Sequence, residues 1–201
     1  MATAERAYHH GNLRAALLEQ AERMLAARGA SELSLRELAR EVGVSHAAPR
    51  RHFADRQALL DALAEQGFAD LQATLAAARD AGDDFETRLA AIARAYVGFA
   101  TRHAALLDLM FSAKHEPDAA RLREAADAAF AVPLGLLSAG IAAGDISGED
   151  PERAGIVVFA AIQGLAALVN GGMVAAEGLE AVVDGAVAQL LRGLRPRAPI
   201  Q

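Results

Sequence analysis

Cysteine and tryptophan are missing from the 201 residues, tyrosine occurs twice and proline six times. Without cysteine the chain has no disulfide framework, no thiolate-bound zinc or iron–sulfur cluster and no thiol nucleophile. Few aromatics and prolines against 51 alanines favour long helices over sheets. With 53% hydrophobic and 23% charged residues and a net charge of −6, the chain is expected to fold around a sizeable core as one or two domains. An all-α protein is the reading. The start, MATAERAYHHG, carries charge with no apolar stretch behind it, so it does not read as a secretory signal and implies a cytoplasmic protein.

Long uncharged runs are also scarce. The run from Ala154 to Ala176 covers 23 residues and has the length of a membrane span, and the rest of the chain suggests no second candidate. Gln163, Asn170, the Gly171-Gly172 pair and the low transfer energy of alanine favour instead a buried helix of a soluble protein with no membrane partner. Such a helix must be covered by its own domain or by a second copy of the chain.

Charge is uneven along the chain. Residues 1–60 hold nine Arg against seven Asp and Glu, whereas residues 61–201 hold 11 Arg and Lys against 19 Asp and Glu. The positive residues cluster from Arg36 to Arg56, a pattern that fits a polyanion partner or an ordinary solvated surface.

Leu13, Leu17, Ala21, Met24 and Leu25 recur at helical spacing and Gly29 stops the pattern. Ser34-Leu35-Arg36-Glu37 is a capping box that starts a helix near Leu35, and Gly43 ends it with a tight turn. Ser45 is placed to cap a further short helix running to about His52. Two short helices about a turn at Gly43 make a helix-turn-helix candidate. A longer helix follows Asp55 through Leu75. Then come the stripe Phe85, Leu89, Ile92, Tyr96, Phe99 and His103, a short piece from Leu106 to Phe111, and a helix from Asp118 to about Ala143 that Pro133 should kink or split. Beyond the loop at residues 144–151, helices start near Glu152 and Gly178, the last with Leu179, Val182, Val183, Ala186, Leu190 and Leu194 on one side. The count comes to about nine helices.

Residues 11–63, with SLRELAREVGVS and the His52-Phe53 dipeptide, resemble the N-terminal DNA-binding domain of the TetR family of transcriptional regulators. The resemblance implies a flexible N-terminal arm at 1–10, where His9 and His10 would follow DNA, a three-helix helix-turn-helix domain at 11–58 and an effector-binding and dimerisation domain at 59–201. The implied DNA contacts are Arg36, Ser45, His46, Ala47, Ala48, Arg50, Arg51, His52 and Arg56. Small residues such as Ala47 and Ala48 let a recognition helix approach the major groove closely, and Arg36 is the candidate for bidentate guanine readout. Ser45 offers a hydroxyl and a helix N-terminus to phosphate, while Arg56 stands where the family commonly has a phosphate-binding Lys. Arg50 replaces the family's usual Tyr, and Pro49 is unusual within so short a helix.

Phe159 to Leu165 resembles the Trp-His-Gly signature of one TetR subgroup, with Phe for Trp, Gln163 for His and only Gly164 retained. The resemblance implies a small-molecule pocket and a homodimer through the last two long helices, about 152–175 and 178–194. Small residues at Ala161, Gly164 and Ala167 suit close helix packing. The candidate pocket residues are Phe99, His103, Met110, Phe111, Phe130, Phe159 and Gln163, which interrupt stripes of Ala and Leu; each also reads as ordinary core. Few charges among them suggest a mostly apolar effector. His103, Asp108, His115 and Glu116 contain no close ligand pair, so no metal and no cofactor is expected. No catalytic motif is visible, so the chain reads as a non-enzyme. The leading function is a homodimeric repressor released from a palindromic double-stranded DNA operator by a small ligand. The alternatives are a TetR-type activator and an all-α carrier whose helix-turn-helix only packs.

Overall fold

The computed structural model describes residues 13–116, 119–147 and 150–194. The N-terminal arm, with His9 and His10, lies outside the described residues. Among those described there are eight α-helices and no strands. The helices are α1 (Leu13–Arg28), α2 (Leu35–Val42), α3 (Arg56–Arg79), α4 (Phe85–Arg102), α5 (Ala104–Ala113), α6 (Ala120–Ala143), α7 (Pro151–Asn170) and α8 (Leu179–Leu194). Two 3-10 turns, Ala30–Glu32 and Pro49–Arg51, complete the order.

The chain forms two compact units: residues 1–68 with 105–123, and residues 69–104 with 124–201. The helix α3 begins in the first and ends in the second.

In the first unit, α1 buries Leu17, Leu18, Ala21, Met24 and Leu25 and packs on α2, which buries Leu35, Leu38 and Ala39. The start of α2 follows from its capping residue. Ser34 is extended, and its hydroxyl accepts from the Glu37 backbone N–H at 3.1 Å. The Glu37 carboxylate is engaged by Arg40 at 2.5 Å and Arg28 at 3.3 Å. The helix ends at Gly43, whose φ of 75° is the left-handed conformation that a side chain would strain. Ser34→Ala should lower the stability of the protein by about 0.5–2 kcal/mol, because one orphan N–H of α2 loses its partner; a urea midpoint equal to that of the parent protein would refute this.

In the second unit, α4 packs against α7 and α8 and buries Leu89, Ile92, Ala93, Tyr96, Val97, Phe99 and Ala100. Its first turn is capped by Asp84, which accepts from Thr87 N–H at 2.7 Å. The buried row of α8 is Val183, Val187 and Leu191, and Val182 remains 43% exposed. Of the expected stripe, Val183 is fully buried and Leu179, Ala186, Leu190 and Leu194 are half-buried, so the most buried row is turned toward Val187 and Leu191.

Pro133 does not split α6, which runs unbroken past it from Ala120 to Ala143. A missing donor removes one bond from the ladder, while neighbouring bonds and packing hold the helix. The uncharged run at 154–176 is not one helix: α7 stops at Asn170, with Gly171 as its C-cap. Nor is it alone, since α6 and α7 are both long and apolar enough, by length and composition, to cross a membrane.

Candidate DNA interface and effector cavity

The segment after Gly43 departs from the expected short helix. Ser45 to His52 is a turn followed by the 3-10 turn Pro49–Arg51. An α-helix capped at Ser45 needs a bond from the N–H of residue 49 to the Ser45 carbonyl, and Pro49 has no N–H to give. The Ser45 carbonyl instead accepts from Ala48 at 2.9 Å, and Arg51 and His52 donate to Ala48 and Pro49 at 3.2 and 2.9 Å. These are i to i+3 bonds, the tighter 3-10 pattern. Pro49 is itself buried, so its ring anchors the segment from below while its neighbours face outward.

The candidate DNA-contacting side chains are mostly on the surface. Arg36, Ser45, His46, Ala47, Arg50, Arg51 and His52 are exposed and Ala48 is half-buried. Arg36, Arg50 and Arg51 form no ion pair with any described residue, whereas Arg40 is held by Glu37 and Glu41, and Arg28 also reaches both. Three uncommitted guanidinium groups beside a capped helix give a surface suited to phosphate and base edges. Arg56 is different: its Nε donates to the Leu33 carbonyl at 2.9 Å and an Nη to the Ala30 carbonyl at 2.5 Å. It ties α3 to the 3-10 turn before α2. The His52-Phe53 pair divides its labour, with Phe53 buried at 2% exposure beneath the Arg14 guanidinium and His52 facing solvent.

A cavity of about 330 Å³ lies in the second unit between α4, α6 and α7, with Leu75 of α3 also on its wall. That volume is within the lower range for small-molecule sites. Of the seven residues singled out from the sequence, Phe130 and Phe159 line it. Their rings meet edge to face at 5.0 Å, and Tyr96 packs on Phe159 in the same manner at 5.5 Å. Gln163 stands next to the wall, where its Oε1 accepts a hydrogen bond from the Tyr96 hydroxyl. Burial pushes the Tyr96 phenol above its ordinary pKa, which keeps it a neutral donor. Phe99 and His103 form a tilted ring pair at 4.9 Å at the end of α4. Met110 and Phe111 belong to the first unit: Phe111 meets Phe68 edge-on at 6.3 Å, and Met110 lies against Gly67, where a Cβ would come within 2.6 Å of its sulfur.

Sequence reasoning missed Tyr96, Ile92, Leu134 and Gly155 as cavity residues. Tyr96 carried a signal, being one of two tyrosines in the chain and continuing an apolar stripe. Gly155 matters through what it lacks, since a Cβ there would sit 2.7 Å from Leu134 Cδ2. Among the described residues no three His, Asp or Glu side chains gather as a metal site.

Residues 17–63 match the family described as bacterial regulatory proteins of the tetR family, and residues 89–194 match the tetracyclin repressor-like C-terminal domain. The chain belongs to the TetR family of transcriptional regulators. An HTH-type transcriptional regulator of Mycobacterium bovis is 33% identical over 140 residues, which cover 67% of this chain and 59% of that protein. The regulator thus spans less than two thirds of the curated relatives it matches. A solved protein of unknown function from Rhodococcus sp. RHA1 is 46% identical with a TM-score of 0.87, covering 94% of this chain and 98% of that one. FadR from Bacillus subtilis, solved in complex with stearoyl-CoA, shares the fold at a TM-score of 0.75 and 15% identity, covering 90% of this chain and all of that one.

Proposed function

We propose that this TetR-family regulator is a cytoplasmic, homodimeric repressor that binds a palindromic operator and is released from it by a small, mostly apolar ligand. The observation that carries the DNA half of this reading is that Arg36, Arg50 and Arg51, on α2 and the 3-10 turn packed against it, are exposed and form no ion pair with a described residue. Arg36 reads a base from the start of α2, and Arg50 and Arg51 hold phosphates. Ser45, His46, Ala47, Ala48 and His52 complete the contact surface. Arg56 acts by fixing the start of α3.

Dimerisation through α7 and α8 is supported by what those helices leave uncovered. The buried row of α7 is Ala154, Val158, Ile162 and Ala166, while Val157, Ala161, Gly164, Ala167 and Leu168 form an exposed apolar face. Val157 is 49% and Val182 of α8 43% exposed. A second copy would cover both, and paired major-groove entry by such a dimer requires recognition segments about 34 Å apart or a multiple of that. Ligand in the cavity would then act on that spacing through α3, the helix shared by both units.

The reading is tested by selecting bound duplexes from a random library with the purified regulator at about 150 mM salt, where nonspecific phosphate binding is weak. A recovered palindrome together with a dimeric mass in solution is the expected result. Failure to enrich any sequence, at this or lower salt, would overturn the repressor reading in favour of a carrier.

A further inference from the structure

The cavity in the second unit has a consistent chemistry. Its walls are hydrocarbon and aromatic, and the one polar group from the walls with a phenolic proton, the Tyr96 hydroxyl, is already bonded to Gln163. No Lys, Arg or His is among the described residues that line it; the single charged residue there is Glu152. Glu152 and Ile156 both line the cavity and are exposed, so they form its mouth.

The position of Glu152 is held firmly. It sits in the first turn of α7 behind Pro151, and its backbone N–H donates to the Asp150 carboxylate at 2.9 Å, with Arg153 N–H donating to the same oxygen at 3.2 Å. Glu152 forms no ion pair with a described residue, and Arg153, although adjacent in sequence, does not line the cavity. An anion entering here would meet the Glu152 carboxylate with no Lys, Arg or His among the described lining residues to offset it. A neutral ligand would leave that carboxylate unused, and an ammonium would be drawn to it while its apolar body occupied the walls.

We propose that the cavity selects an apolar molecule bearing one protonated amine, with Glu152 holding the ammonium at the mouth and Tyr96, Phe130 and Phe159 surrounding the body. This rests on the reading that the cavity is the effector site. At about 30 Å³ for each water-sized group, 330 Å³ holds about eleven non-hydrogen atoms. Decylammonium, 1-decanol and nonanoate match that size and differ in head-group charge.

Calorimetric titration of the full chain with these three probes, below their micelle concentrations, tests the charge preference. Decylammonium should bind about ten-fold more tightly than decanol and nonanoate most weakly. In Glu152→Gln, an exposed and conservative change, amine and alcohol should bind equally. Equal binding of amine and alcohol by the parent protein, or tightest binding of nonanoate, would overturn the proposal while leaving the effector cavity in place. Gly155→Leu, whose side chain fills the cavity, should abolish binding of all three. Retained amine binding by a folded Gly155→Leu protein would place the amine on the surface and overturn the proposal, and no binding of any probe to the parent protein would overturn the cavity reading itself.

Discussion

Arg36→Ala is expected to weaken operator binding by about 1–3 kcal/mol, roughly five- to 150-fold, and to relax the preference for one base pair in each half-site. The reasoning rests on position and availability. Arg36 is the second residue of a helix whose start is pinned by Ser34, its side chain is exposed, and no described carboxylate claims its guanidinium. Arg40, one turn on, is engaged by Glu37 and Glu41 and should matter far less. Arg50→Ala and Arg51→Ala should act differently, weakening binding to all sequences and lowering the salt dependence by about 0.9 of a log unit per log unit of salt for each phosphate lost. Arg23→Ala, which removes exposed α1 contacts to Glu19 and Gln20, is the control and should leave affinity unchanged. Fluorescence anisotropy with the selected operator across a salt series separates these effects. Parent-like affinity and specificity in Arg36→Ala would remove the base-reading role assigned to it.

Phe68→Ala should destabilise the protein by about 3–5 kcal/mol, the largest effect expected of any single truncation here. The ring is fully buried at 0% exposure where α3 meets α5, edge-on to Phe111, and the neighbouring Gly67 brings α3 close to Met110. That approach is too tight for the helices to shift inward and fill the void, so the cavity should persist and its full cost appear. For a chain of this size each kcal/mol moves the melting temperature by about 2–4 °C, so a fall of roughly 6–20 °C in the helical circular-dichroism transition is expected. A fall of less than about 3 °C would show that this contact contributes little to the cooperative unit.

Much of the helical architecture was legible because it is local. Ser34 and Gly43 announced the ends of α2 through hydroxyl and φ requirements that depend on neighbours in sequence alone. The Leu89, Ile92, Tyr96 and Phe99 stripe marked the buried face of α4 for the same reason. The segment from Ser45 to His52 was harder. Its capping residue argued for a helix, yet the consequence of Pro49 appears only when each bond is assigned a donor, and the 3-10 pattern is what remains. Arg56 was likewise read by its place in the family pattern, while its partners, the carbonyls of Ala30 and Leu33, are more than twenty residues away.

The sequence by itself determined the all-helical class, the family, the two ends of α2 and the clustering of basic residues near the turn at Gly43. These depend on spacing, composition and bonds between near neighbours. Tertiary structure alone decided which bulky side chains share a cavity. Phe130 and Phe159 meet there, and Met110 and Phe111 fall in the other compact unit, because helices brought together by long-range packing choose their facing rows according to every partner at once. It also decided which guanidinium groups are spent on carboxylates or carbonyls and which have no such partner among the described residues, since a charge pattern along the chain holds no record of the distances that folding creates.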